Sequence, residues 1–308
     1  MGLLSIVGLV SNLRRLYWVS KGLKSVQIEL SNGTTMHCWV YKGNTSTSPE
    51  KPAVLLIHGF GADGMTAWSK QIGVLGEHFD LYIPDLVFFG ESTTRSSERS
   101  EIFQAECLKS MLDSLQVKSV VAVGHSYGGF VAFWMAHLYP ELVCRLVIVS
   151  SGICTPSSND ELLKEFGASD VKEVLLPTTV QDIKRGMHLT IHNMPWLPDF
   201  IYKDFMETTG GNRDQKAQLV DAIVIGSKNS QPLPLLTQNV LIVWGMNDRI
   251  FKLEEAYTLQ RHLGEKATLA VIEECGHVPS LEKSGELNRL LLNFLLNKKR
   301  ITAELFAK

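Results

Sequence analysis

Residues 117–140, VKSVVAVGHSYGGFVAFWMAHLYP, run from an apolar β-branched stretch through a glycine-bracketed serine into a helical pattern. Val117, Val120, Val121 and Val123 suit a buried strand, whereas Phe130, Val131, Phe133, Trp134 and Leu138 recur at helical spacing. Between them stands Gly124-His125-Ser126-Tyr127-Gly128, a G-x-S-x-G pattern. Three fixed positions at about 7% abundance would coincide in roughly one 300-residue chain in ten, so the pentapeptide alone decides little. Its place between a strand and a helix decides more. So sharp a turn strains the backbone of its central residue and needs neighbours without a Cβ, which would strike the adjoining strand and helix. The outcome is a serine hydroxyl held in the open.

Working outward, 308 residues that are 45% hydrophobic and 20% charged suffice for one large α/β domain with an insertion. A net charge of −2 offers no electrostatic reason for nucleic acid to bind. Cys38, Cys107, Cys144, Cys154 and Cys275 are odd in number, scattered and without C-x-x-C spacing. They read as reduced cytosolic thiols, not as a disulfide frame or a zinc site, which predicts a cytoplasmic protein without a metal. No stretch reaches the ~18 apolar residues of a membrane span. The ending AELFAK carries no peroxisomal or ER-retention address.

Residues 1–24 stand apart as an apolar helix. Leu3, Ile6, Val10, Leu13 and Tyr17 share one face, but Leu4, Leu9, Leu16 and Trp18 lie elsewhere on the wheel. Arg14, Arg15, Lys21 and Lys24 follow the apolar run instead of preceding it, which argues against a signal peptide, and Ile6 stands where a myristoylation signal wants Ser or Thr. Three readings stay open: packing on the protein body, a membrane-surface or partner helix, and a cleaved targeting segment.

The body, residues 25–151 and 237–308, alternates strands with helices. SVQIEL and TTMHCWVY flank Asn32-Gly33 and read as a hairpin. Residues 43–52, GNTSTSPEKP, form an exposed connection; Ala53 to Ile57 is a buried strand that ends in His58-Gly59-Phe60-Gly61, and a helix is expected from about Thr66 to His78. That glycine-flanked loop can turn backbone N–H groups into a cleft. LYIPD leads to the loop Asp85 to Ser92, where Asp85 is expected to cap the loop's own N–H groups. RLVIVSS, NVLIVWG and ATLAVIEEC are further strands, and a last helix runs through Glu286 to Leu296. Residues 152–236 carry Pro177, Pro195, Pro198, Pro232 and Pro234 among short helical patterns and read as a helical cap inserted between two strands. The expected fold is α/β: a mostly parallel, doubly wound, eight-stranded-type sheet with its sites at the carboxyl ends of the strands. Asp248 follows one such end and His277 another, supplying the two polar groups that a serine nucleophile needs.

HGFGADG, DLVFFGES, GHSYGG, WGMNDRI and ECGHVPSLE, in this order, resemble the α/β-hydrolase fold superfamily, in particular its capped carboxylesterase, monoacylglycerol-lipase and C–C-bond-hydrolase branch. The resemblance spans about Val26 to Leu296 and implies a catalytic triad in the order Ser126, Asp248, His277. It implies an oxyanion hole from the backbone N–H groups of Phe60 and Tyr127. His58 is expected to brace the oxyanion loop, and His125 to point away from the nucleophile. Val87-Phe88-Phe89 departs from the second Gly or Pro of many relatives, and Phe88 and Phe89 are expected at the pocket rim. Met187, Ile191, Trp196 and Phe200 of the cap are expected to line an acyl pocket. The function implied is hydrolysis of a small lipophilic carboxylic ester through an acyl-enzyme, without a metal or organic cofactor. Cleavage of a C–C bond beside a ketone uses the same three residues, and a hydrolase-fold receptor with slow turnover is the alternative outside enzymes.

Overall fold

The computed structural model describes residues 5–41, 51–154, 160–225 and 232–296. Leu3, most of the connection 43–52 and the AELFAK ending lie outside these residues. Among them one sheet contains β1 (Lys24–Glu29), β2 (Thr34–Tyr41), β3 (Ala53–Ile57), β4 (Asp80–Pro84), the two-residue β5 (Thr93–Thr94), β6 (Val120–His125), β7 (Val143–Val149), β8 (Asn239–Gly245) and β9 (Ala267–Ile272). The order across it is β1-β2-β4-β3-β6-β7-β8-β9, with β5 paired to β2. All pairings from β4 to β9 are parallel; β2 is antiparallel to its three neighbours.

Parallel strands covered on both faces must be apolar at every position, and their alternation then decides which core each residue enters. Val54 and Leu56 of β3, Val121 and Val123 of β6, and Leu241 and Val243 of β8 belong to one core. Leu55 and Ile57, Val120 and Ala122, and Val240 and Ile242 belong to the other. α4 (Glu101–Ser114), α5 (Tyr127–Leu138) and α11 (Leu253–Leu263) cover one face; α2 (Gly64–Trp68), α3 (Ile72–Leu75) and α13 (Ser284–Leu295), which follows the short α12 (Pro279–Glu282), cover the other. The single helix expected from Thr66 to His78 is two short ones. At the break Lys70 Nζ donates to the Leu281 carbonyl (2.7 Å) and Gln71 Nε2 to that of Ser280 (3.2 Å), and Gly73 within α3 weakens helix propagation.

Between β7 and β8 lie α6 (Asp160–Phe166), α7 (Val171–Leu175), α8 (Val180–Thr190), α9 (Asp199–Thr209) and α10 (Arg213–Asp221), with no strand among the described residues. Asp170 and Thr179 start α7 and α8 by accepting the amides of Lys172 and Asp182, which is how polar residues open helices in a segment rich in proline.

α1 (Ile6–Ser20) leans on α9 and α2. Trp18 is fully buried against Trp39, with ring centres 5.4 Å apart, and the Val7 amide donates to Asp204 Oδ2 of α9 at 2.7 Å. Hydrogen bonds from Ser5 and from the Val7 amide hold the Asp204 carboxyl below the usual carboxylate range. Ile6, Leu9, Val10, Leu13, Leu16 and Tyr17, in contrast, are 42–67% exposed. The helix therefore buries one tryptophan and leaves most of its apolar surface open. No helix among the described residues is long and apolar enough to cross a membrane.

Candidate active site

β3 and β6 are neighbours at the point where the sheet reverses its direction of growth, since β4 lies on one side of β3 and β6 on the other. The crevice beyond their carboxyl ends is where such sheets place their sites. Ile57 pairs with Gly124, so the loop after β3 and the turn after β6 leave the sheet side by side. Ser126 takes φ 52° and ψ −121°, a left-handed conformation costly for a residue with a side chain. The glycines on either side have definite reasons. A Cβ on Gly124 would stand 2.2 Å from the Gly128 carbonyl oxygen, and one on Gly128 would stand 2.4 Å and 2.5 Å from those of His58 and Ile57. Ser151 Oγ donates to the Ser126 carbonyl (2.7 Å) and the Ser126 amide to that of Val149 (2.9 Å), which locks the turn to β7.

Asp248 and His277 are brought together by the ends of β8 and β9. A Cβ on Gly245 would meet the Gly276 oxygen at 2.0 Å, so the two chains pass backbone to backbone. The Asn247 amide donates to the Cys275 carbonyl (2.8 Å). Asp248 Oδ1 accepts the amides of Ile250 (2.9 Å) and Phe251 (3.0 Å), which leaves Oδ2 facing His277 Nδ1 at 2.9 Å. His277 Nε2 in turn lies 2.9 Å from Ser126 Oγ. Asp248 and His277 are buried while Ser126 is half-buried, so the relay runs from the interior to the cavity.

The histidine loop is held from three directions. His125 Nε2 lies 2.8 Å from the His277 carbonyl oxygen. Burial and then the neighbouring His277 push His125 down to about 3, so it stays neutral and donates Nε2–H to that oxygen. The His277 amide donates to the Thr190 carbonyl at the end of α8 (2.7 Å). Glu282 accepts from the amides of Gly276 (3.1 Å) and His192 (2.7 Å), tying the loop to the cap a second time. Neither contact is readable in the sequence, because both depend on where the cap lands.

Behind the loop after β3, His58 accepts the Leu86 amide at Nε2 (2.9 Å) and donates from Nδ1 to the Gly59 carbonyl (2.8 Å). Only one neutral tautomer does both, and burial lowers its pKa accordingly. Asp85 accepts the amides of Glu91 (3.0 Å), in its own loop, and Gly64 (2.9 Å), at the start of α2. Burial alone would raise the Asp85 carboxyl; its hydrogen bond and charge interaction with His37 hold it below the ordinary range instead. With Ser25 Oγ 2.9 Å from His37 Nε2 and His37 Nδ1 2.8 Å from Asp85 Oδ2, this is a second serine–histidine–aspartate relay. Ser25 sits on the regular strand β1, and none of the three lines the cavity.

The cavity above Ser126 measures about 560 Å³. Phe60, Tyr127, His277, Met187 and Ile191 line it, together with Phe205, which shares the cap's apolar pattern. Four expected pocket residues do not. Phe88 and Phe89 are buried in the core instead of standing at the rim: Phe88 lies under the Arg99 guanidinium and Phe89 against His58 and Phe60. Trp196, in the extended Pro195–Pro198 segment, is 86% exposed. Phe200 is 54% exposed, because it lies about 140° around α9 from Phe205, on the outer face.

Comparison with known proteins agrees with this architecture. A family model described as alpha/beta hydrolase fold matches residues 52–284. Lipase 1 of Psychrobacter immobilis is 29% identical over 271 residues, covering 86% of this chain and 81% of that protein. A 2-hydroxy-6-oxononadienedioate/2-hydroxy-6-oxononatrienedioate hydrolase of Escherichia coli is 27% identical over 252 residues, 79% of this chain and 86% of its own. The crystal structure of a membrane phospholipase A, a bacterial virulence factor, superposes with a TM-score of 0.79 at 23% identity, over 94% of this chain and 91% of that one, and so shares the fold.

Proposed function

Because the chain belongs to the α/β hydrolase fold family, we propose that it is a serine hydrolase that cleaves a carboxylic ester of a lipophilic small molecule through an acyl-enzyme. The observation that carries this reading is the continuous relay Asp248–His277–Ser126, with both contacts at 2.9 Å, opening into an apolar cavity. His277 Nε2 accepts the Ser126 proton as Oγ attacks the ester carbonyl, and Asp248 stabilises the imidazolium and fixes its tautomer. The oxyanion that forms is bound by the N–H groups of Tyr127, the first residue of α5, and of Phe60; each such donor is worth roughly 3 kcal/mol. His277 then protonates the leaving alcohol, and water attacks the acyl-enzyme by the same route reversed.

Similarity to a lipase supports the ester reading. The similarity to a hydrolase of an oxo-dienedioate favours a second one, C–C bond cleavage by the same three residues. Fluorophosphonate labelling of Ser126, followed by parallel assays with nitrophenyl esters and a vinylogous diketone, separates them. Ester turnover with no diketone turnover supports the first; the reverse supports the second. A receptor with slow turnover would give a burst and then negligible steady-state rate on every ester.

The exposed apolar residues of α1, beside Arg14, Arg15, Lys21 and Lys24, support peripheral attachment of the enzyme to a membrane surface. There it would meet a lipophilic ester at high local concentration.

A further inference from the structure

Among the described residues no carboxylate lines the cavity, yet two cations do, Arg213 and Lys216 of α10. Arg213 is exposed at the rim and donates Nη1 to the Pro177 carbonyl (3.2 Å). Lys216 is different. It is only 8% exposed, its Nζ donates to the carbonyl of Thr209 at the end of α9 (2.9 Å), and it stands 5.0 Å from the centre of the Phe89 ring. No Asp or Glu among the described residues forms an ion pair with it. Loss of water lowers its pKa below the usual lysine range. One carbonyl and one ring face use part of the donor capacity of an ammonium, and a buried cation without a counter-ion is costly.

The position of this charge bears on catalysis. Phe89 packs on Phe60 (ring centres 5.1 Å apart) and on His58 (5.3 Å), so the Phe89 ring links Lys216 to the loop that carries one proposed oxyanion donor. A surface lysine would need no explanation; a buried one in a mainly apolar cavity does. We propose that Lys216, assisted at the rim by Arg213, is a specificity-determining residue that binds a carboxylate on the substrate. The ester is then an amphiphile with an apolar chain and an acid group, because one buried ammonium balances a monoanion. This rests on the ester-hydrolase reading of Ser126.

The competing role for Lys216 is purely structural, a cation at the carboxyl end of α9. Two experiments on the full chain decide between them. In the first, kcat/KM is measured for the mono-4-nitrophenyl ester of octanedioic acid and for 4-nitrophenyl octanoate, which differ by the acid group. A charge-assisted hydrogen bond predicts that Lys216→Met lowers the acid-to-neutral ratio at least about tenfold through KM, and that Lys216→Arg preserves much of it. A ratio unchanged in Lys216→Met overturns the proposal, whatever happens to its melting temperature. In the second, Ser126→Ala with Lys216 intact is titrated with monomethyl octanedioate and methyl octanoate. Tighter binding of the acid supports the subsite even if no ester is ever turned over, which would defeat the hydrolase reading alone. Equal binding overturns it, even if Lys216→Met does not fold.

Discussion

Replacing Gly128 by alanine is expected to slow ester turnover about a hundredfold without unfolding the protein. The added Cβ would lie 2.4 Å from the His58 oxygen and 2.5 Å from the Ile57 oxygen, whereas ordinary contact begins at 3.4 Å. Both obstacles are main chain, so no rotamer relieves them, and the elbow must part from β3 by about 1 Å. Overpacking of this kind costs about 1–3 kcal/mol, a fall of roughly 2–10 °C in melting temperature for a chain of this size. The catalytic cost is larger. The displacement falls between the Tyr127 and Phe60 amides, and a misplacement near 1 Å at a reacting centre costs about 10²-fold in rate. The assay is kcat/KM on 4-nitrophenyl octanoate beside the rate of fluorophosphonate labelling, with thermal melting as a check of the fold. Gly285→Ala on α13 is the control: its Cβ meets nothing within 4 Å, and alanine favours the helix. If Gly128→Ala stays within about threefold of the unaltered chain, the close approach of elbow and strand does not govern the oxyanion site, and the reasoning fails.

Ser126→Ala should abolish both turnover and fluorophosphonate labelling with an unchanged melting temperature; residual labelling would identify another nucleophile. His277→Ala should lose at least as many decades of kcat as Asp248→Asn, since the base acts in both half-reactions; an Asp248→Asn loss under about tenfold would remove Asp248 from the acid's role. His125 is neutral when folded and titrates near 6.5 when unfolded, so the stability it contributes is complete above pH ~6.5 and lost as pH falls toward 3. The slope is up to about 1.4 kcal/mol per pH unit, and urea melts of His125→Gln between pH 4 and 7 should show a shallower one; an equal slope would refute it. Leu9→Glu, Leu13→Glu and Leu16→Glu combined should leave melting unchanged but stop co-sedimentation with anionic liposomes, whereas a chain starting at Ser25 should melt lower because Trp18 is lost from the core. Lipid binding that survives the triple substitution would exclude α1 as the attachment surface.

The main strands, the parallel sheet and the elbow were legible because each rests on local chemistry: β-branched runs, strands alternating with helices along the chain, and a serine that only Cβ-free neighbours can bracket. Met187, on α8, and Ile191, just past its end, could be expected at the cavity because they belong to the dense apolar set of the cap. Trp196 and Phe200 could not be placed, since apolarity says that a side chain prefers shelter and not which side of a cap helix finds it. Phe88 and Phe89 went to the core for a similar reason: the path of the Asp85 loop depends on Asp85 reaching Gly64, 21 residues back in the chain. Thr190 holding the histidine loop, Glu282 spanning loop and cap, and Lys216 buried without a carboxylate are likewise invisible along the chain. Local sequence determined the chemistry available to this protein. The tertiary structure decided which side chains face the serine, because hydrogen bonds and burial across a hundred residues are settled only when cap and sheet meet.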